Sequence, residues 1–427
     1  MRLRLEKNRN ILLVGDLSIR VISGRVSIFG AEYPKGSEVF IDKLTSAPLE
    51  PLEDSDIEIE FGEDGYIAET PIRLIPEEWK SVAREIINLP HGSIVFICAN
   101  VDTGKSGFIC YTTNRAIAEG KKVAIIGADT GQSELNPPMT IGMAIIEHHI
   151  IHLSQARYTK AFFVGSTSPA GMLERSIVGV IRMIREARKA GADLIMVNTT
   201  GWVHGAGGRE LKEMKLLAIS PDFMVILERE KNELNYIHKI AQNLGILCRI
   251  IPAAPRLRSR TREERRKLRA KYYAWEFQNA KQIKISVDDV AFMYSYFGTG
   301  IEMSADEIIK VIGILGYKPE YMEKTTDCVI IVTEKYISND LIDSISQNLG
   351  KQVKVLNPKI FENMVVGLLD DNGDMINMGI ITKFDPSSRL LTIHTAAEPD
   401  RIKIIAFGRI KINLEFEEIE WIDPWSL

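Results

Sequence analysis

Hydrophobic and polar positions change their spacing twice along this chain. Between residues 10 and 74, short runs at 11–14, 18–21, 24–29, 37–41 and 56–61 alternate apolar with polar residues and are cut by Gly and Pro. Strand side chains alternate between two faces, so closely spaced runs of this kind predict a small β-sandwich. From about Pro76 the apolar runs become continuous, at 94–99, 123–128, 193–198, 222–227 and 246–251. They alternate with helical stretches at 104–119, 171–190 and 232–244. Apolar strands separated by helices predict a parallel sheet covered on both faces, with ligands beyond the carboxyl ends of its strands. After about residue 281, strand patterns return at 327–332, 352–355, 363–370, 379–384, 390–394 and 402–407, with one helix near 340–348. The pattern therefore predicts an α/β chain. A parallel-sheet domain over 76–282 lies between a β-rich domain over 1–75 and a mostly β domain over 283–427.

Composition narrows the class. A length of 427 residues suits two or three domains, and 45% hydrophobic with 26% charged residues is an ordinary globular balance. With a net charge of −4 and a pI near 6.1, the chain has no global bias toward nucleic acid, so a polyanion must be met by a local basic patch. The most apolar stretches are of strand length, which predicts no membrane-spanning helix, and the start Met1-Arg-Leu-Arg lacks an apolar signal core. Cys98, Cys110, Cys248 and Cys328 are widely spaced with no Cys-x-x-Cys pair. They read as reduced thiols of a cytoplasmic protein.

One segment carries explicit chemistry. Ala99-Asn-Val-Asp-Thr-Gly104-Lys105-Ser106 ends an apolar strand and opens a helix, the context of a phosphate-binding loop. That makes the central domain a P-loop NTPase fold that binds ATP or GTP with Mg²⁺. Backbone N–H groups over Ala99, Asn100, Val101, Asp102, Thr103, Gly104 and Gly107 would face phosphate oxygens. Lys105 would bring a full charge to the β- and γ-phosphates, and the Ser106 hydroxyl would ligate the metal. Ala99 stands where a glycine is usual, at a strand end that needs a small side chain. Gly104 is the stricter position, because backbone must come close to phosphate. For Asp102 two readings stand: a residue facing the acceptor, or a brace of the loop.

Two strand tips extend the site. The 123–128 strand runs into Asp129-Thr-Gly-Gln132, and an aspartate there reads as a metal ligand or a general base, or else as a turn residue before Gly131. The 193–198 strand runs into Thr199-Thr200-Gly201-Trp202-Val203-His204. A GTPase would carry Asp-x-x-Gly at such a tip. Hydroxyls and an aromatic suit a second substrate better, with Trp202 either stacking on a base or lying in the core. His204 reads as a loop hydrogen-bonder. Downstream, nine Lys or Arg residues lie between Arg256 and Lys271, against Glu263 and Glu264. The run reads as a solvated helix face or a localisation signal, or as an arginine lid over 255–275, since a guanidinium fork suits phosphate.

Together these residues resemble the polyribonucleotide 5′-hydroxyl-kinase family, which acts in tRNA splicing, mRNA 3′-end formation and ribosomal RNA processing. The resemblance rests on Asp102-x-Gly104-Lys105-Ser106, on Asp129-Thr-Gly-Gln132 with Pro137-Pro138, on Phe163-Val-Gly-Ser-Thr167-Ser-Pro169, on Asn198-Thr-Thr-Gly-Trp202 and on Arg258-Ser-x-x-Arg262. It implies a kinase that transfers the γ-phosphate of ATP or GTP to the 5′-hydroxyl of RNA, with DNA as a further acceptor. Lys105 would hold the donor phosphates, and Asp129 would act as general base and, with Ser106, as metal ligand. Gln132, Thr199, Thr200, Gly201 and Trp202 would clasp the RNA end, while Arg258 and Arg262 steady the phosphoryl group. RNA-processing proteins would meet the outer domains. A non-catalytic ATP-binding scaffold and a nucleotide switch are the competing classes; the chain has no Asn-Lys-x-Asp base-reading motif.

Overall fold

A computed structural model describes residues 1–7, 9–43, 45–255 and 261–427. Its compact units are two. The first takes in 1–136, 141–161 and 169–261; the second takes in 137–140, 162–168 and 262–427.

The first unit opens with two antiparallel sheets. One orders Arg2–Leu5, Ser55–Phe61, Leu17–Ser23 and Glu38–Ile41; the other orders Ala31–Pro34, Arg25–Ile28, Ser46–Pro51, Asn10–Val14 and Tyr66–Thr70. Alternate residues such as Leu17, Ile19 and Val21, or Ile57 and Ile59, turn inward to a shared core. This is the sandwich that the period-two runs require.

The rest of the unit is α/β. The helix Glu77–Ile87 buries Trp79, Val82, Ala83, Ile86 and Ile87, a single stripe at helical spacing, and begins with Glu77 and Glu78 where negative charge suits the helix dipole. Its sheet follows the order Lys160–Phe163, Thr140–Ile146, Val123–Ala128, Leu194–Thr199, Ser93–Ala99, Phe223–Glu228, Leu247–Pro252. The last five run parallel, while Thr140–Ile146 pairs antiparallel with Val123–Ala128. The antiparallel strand was not expected; its apolar run follows a Pro-Pro turn with no helix in between, and only a hairpin-like return allows that. Ser93–Ala99 is buried at every position, as a central parallel strand covered on both faces must be.

The second unit is mostly β. One sheet orders Lys281–Ser286, Leu390–Thr395, Met375–Asp385, Met364–Leu369, Ile404–Ile412 and Ala291–Met293. A three-stranded sheet of Tyr321–Lys324, Cys328–Val332 and Gln352–Leu356 shares a core with the helices Ala305–Leu315 and Asn339–Leu349. The first of these helices was missed in the sequence, though Ser304 and Glu307 form a capping box at its start. All four cysteines are free thiols, three of them buried.

Candidate functional site

The phosphate loop joins the buried strand Ser93–Ala99 to the helix Lys105–Ala118. Gly104 has φ 94, the left-handed region, and a Cβ there would lie 2.7 Å from Ala254 Cβ. Conformation and space both require glycine. The loop is braced from neighbouring strand ends. The Arg229 guanidinium donates to the carbonyls of Asp102 and Ala254, and the Ala254 N–H donates to Thr103 O at 2.9 Å. Asn100 Nδ2 donates to Glu233 Oε1 at 2.9 Å and meets His204 Nε2 at 2.9 Å. His204 is thus a loop hydrogen-bonder, as its sequence context suggests. Behind the loop, the Trp79 indole donates to Pro252 O at 2.8 Å and meets Phe108 edge-on. Arg229, Glu233 and Trp79 were not singled out in the sequence. Arg229 was within reach of it, because it follows directly on a parallel strand, where ligand-end residues gather.

Three strand tips meet at one edge. Leu194–Thr199 lies between the phosphate-loop strand and the Val123–Ala128 strand, with Asn198 opposite both Ile97 and Gly127, and Thr199 opposite Ala128. The Thr199–Trp202 tip therefore stands between the phosphate loop and Asp129. At Gly201 a Cβ would lie 2.8 Å from the Val101 backbone nitrogen. This close approach excludes any side chain and presses the tip against the loop. Asp129 Oδ1 accepts from the N–H groups of Gly131 and Gln132, at 3.0 Å each, leaving Oδ2 without a hydrogen bond among the described residues. The Gln132 side chain is exposed beside it.

Trp202 belongs neither to the core nor to open solvent. Half-buried, its ring lies on the start of the helix Gly205–Ile219, where a Cβ at Gly207 would come within 2.7 Å. Thr199 departs from its expected contact with RNA. Its hydroxyl is fully buried, donates to Ile97 O at 2.6 Å and accepts from Lys212. It holds the tip from within; Thr200 and Gly201 are buried as well, and Trp202 is half-buried.

Beneath these tips sits a group of amines. Lys105 Nζ donates to Asn100 O at 2.7 Å and to Ala99 O at 3.3 Å. Burial pulls its pKa down, opposed by the charges of Asp129, Cys98 and Asp102. Lys212 and Lys215 are buried on the helix Gly205–Ile219. Burial brings Lys212 to about 8, with Cys98 and Asp129 opposing the fall and Lys105 adding to it. Lys215 falls to about 7 through burial and the repulsion of Lys212, against the attraction of Asp129. Sequence reading missed both, because lysines amid Leu211 and Leu216 look like a helix surface.

These amines fix a pH dependence. Both folded pKa values lie below the unfolded lysine value of about 10.4. The cost of burying the charge is thus fully present below pH 7 and is relieved as pH rises from about 7 toward 10. Lys215→Met is expected to be more stable relative to wild type at pH 6 than at pH 9, by on the order of 1–3 kcal/mol. Urea midpoints of the two proteins at both pH values measure this. Curves that move in parallel would mean that Lys215 stays protonated throughout.

Of the two arginines expected to form a lid, Arg258 lies outside the described residues. Arg262 opens the helix Arg262–Glu276, which belongs to the second unit. Two basic residues of that helix serve its own unit: Arg269 grips Glu418 with both nitrogens, at 2.7 and 2.9 Å, and Arg266 donates to Glu418 O at 3.2 Å. No helix among the described residues is long and apolar enough to cross a membrane.

Comparison with known proteins bears on the same segment. Residues 99–279 match the family described as mRNA cleavage and polyadenylation factor CLP1 P-loop. A polyribonucleotide 5′-hydroxyl-kinase of Pyrococcus furiosus is 30% identical over 361 residues, covering 83% of this chain and 97% of its own length. One from Methanocaldococcus jannaschii is 31% identical over 336 residues, covering 78% and 91%. One chain of a solved Clp1p–Pcf11p complex aligns with a TM-score of 0.62 at 12% identity, over 96% of this chain and 97% of that one, a likeness of fold.

Proposed function

Because the chain belongs to the polyribonucleotide 5′-hydroxyl-kinase family, we propose that it transfers the γ-phosphate of ATP to the 5′-hydroxyl end of RNA. GTP is the alternative donor and DNA the alternative acceptor. The observation that carries this reading is the contact of Gly201 with the Val101 backbone. Through it a tip bearing an aromatic ring stands against the donor loop, whereas a hydrolytic switch needs there only a group that orients water.

The loop N–H groups and Lys105 hold the donor phosphates. Ser106 and the unbonded Oδ2 of Asp129 fit Mg²⁺, a hard cation that takes few protein oxygens beside phosphate and water. When bound, the metal neutralises charge that develops on the phosphoryl oxygens. Asp129 accepts the proton of the 5′-hydroxyl as that oxygen bonds to the γ-phosphorus and the bond to the β–γ bridging oxygen breaks, releasing ADP. Thr200, Gly201, Trp202 and Gln132 orient the terminal nucleotide. Arg258 and Arg262 are assigned to the phosphoryl group from their sequence pattern. The N-terminal sandwich and the second unit would contact other RNA-processing proteins, and the site of action would be the cytoplasm.

Transfer of label from γ-labelled ATP to 5′-hydroxyl RNA tests the reading. Well-folded protein that labels no RNA or DNA end would overturn it, and ATP-dependent thermal stabilisation without transfer would favour a scaffold. Trp202→Ala is expected to raise the KM for RNA about tenfold, in line with a stacking contribution of about 1–3 kcal/mol, and to leave ATP affinity within twofold. An unchanged RNA KM would remove Trp202 from the acceptor site.

A further inference from the structure

The helix Gly205–Ile219 buries two lysines alongside Leu211, Leu216 and Ile219 and leaves two large apolar side chains exposed. Lys212 and Lys215 are 0% and 1% exposed, while Met214 and Leu217 are 45% and 54% exposed. Burying an ammonium costs several kcal/mol unless it is well hydrogen-bonded, and apolar side chains gain by taking its place. Such a breach of hydrophobic patterning concentrates at functional sites. Neither lysine has a carboxylate within ion-pair distance among the described residues. Their partners are instead the backbone and hydroxyls of the strand tips.

Lys212 Nζ donates to Thr199 Oγ1 at 2.7 Å and to Thr200 O at 2.5 Å. Thr199 Oγ1 passes the connection on to Ile97 O, in the phosphate-loop strand, at 2.6 Å. Lys215 Nζ, one turn further on, donates to Ala128 O at 3.4 Å, the carbonyl just before Asp129. One helix face thus fastens the acceptor tip to the donor strand and touches the root of the Asp129 turn. The connection also explains the inward hydroxyl of Thr199, which the clasp itself would not need.

We propose that Lys212 is a positioning residue for phosphoryl transfer, latching the Thr199–Thr200 tip to the phosphate-loop strand so that the acceptor end and the donor phosphate keep one fixed separation. Lys215 supports the same edge beneath Asp129. The role rests on the kinase reading above. It differs from a purely structural role in one consequence. With the tip loosened, the 5′-hydroxyl loses its alignment, and water attacks the γ-phosphorus in its place, giving ADP and inorganic phosphate.

The test uses Lys212→Met, which keeps length and removes the charge. At saturating ATP and RNA, kcat for transfer is expected to fall about 10²-fold, the order of effect of a displacement near 1 Å. ATP affinity should stay within twofold, and the ratio of RNA phosphorylated to ATP consumed should fall at least about tenfold as water takes the phosphoryl group. Thr199→Val, which removes the shared acceptor atom without changing shape, is expected to do the same, and the double variant to be no worse than the more impaired single one. A structural role would lower stability and scale transfer and hydrolysis together. Should Lys212→Met not fold, Thr199→Val alone decides. Transfer with the wild-type ratio in the folded variant overturns the positioning role, whereas wild-type protein that labels no end overturns the kinase reading itself.

Discussion

Lys105→Ala is expected to slow 5′-phosphorylation of RNA by about 10²–10³-fold and to weaken ATP binding. The amine lies in the phosphate loop with hydrogen bonds to two of its carbonyls, Ala99 O and Asn100 O. Burial disfavours its charge, and Asp129 and Asp102 only partly offset this. A triphosphate brings several negative charges to the same place. One unit charge at 4 Å is worth about 4 kcal/mol at an effective dielectric constant of 20, so bound phosphates favour the ammonium and are held by it. Its loss therefore removes donor binding together with charge neutralisation during transfer. Without nucleotide the same substitution relieves a desolvated amine, so apo stability should not drop in proportion to activity. Initial rates with γ-labelled ATP, an ATP binding isotherm and an apo melting curve separate these effects. A rate within tenfold of wild type in folded protein would show that the loop backbone alone suffices.

Asp129→Asn should lower transfer by about 10²–10⁴-fold, the range for removing a general base, with ATP affinity changed only a few-fold. The substitution is conservative for the fold. Asn Oδ1 still accepts the N–H groups of Gly131 and Gln132 that Asp129 Oδ1 holds at 3.0 Å, so the turn after the Val123–Ala128 strand keeps its shape. What disappears is the charge, and with it the proton acceptor and metal ligand proposed for Oδ2. Asp129 also favours the protonated forms of Lys212 and Lys215. Its neutralisation should therefore move the pH dependence of stability to lower pH. Single-turnover transfer, a Mg²⁺ titration and urea midpoints across pH 6–9 check the three parts. Wild-type transfer by the variant would assign the base to another residue.

The chain's local patterns already contained the phosphate loop, the sandwich strands and the alternation of strands with helices. Each depends on residues close in sequence: side-chain periods of 2 and 3.6, and the Gly104-Lys105-Ser106 run between an apolar strand and a helix. The Asn198–Trp202 tip and Asp129 were legible for a related reason, since parallel strands put their ligand-end residues directly after the apolar run. Other features arose only from pairing across the fold. Strand order put Leu194–Thr199 between the phosphate-loop strand and the Asp129 strand, and hydrogen bonds between distant segments determine that order. The Thr199 hydroxyl turned inward because Ile97 O and Lys212 meet it there. The buried lysines were the least legible. Leu211, Leu216 and Ile219 face the interior while Met214 and Leu217 face out, so hydrophobicity along the helix does not reveal its inner side. The sequence by itself determined which segment joins strand to helix as the phosphate loop and which tips lie at the ligand end of the sheet. Tertiary structure decided how the tips are fastened to one another, because a buried ammonium is stable only where folding brings carbonyl and hydroxyl oxygens from separate strands around it.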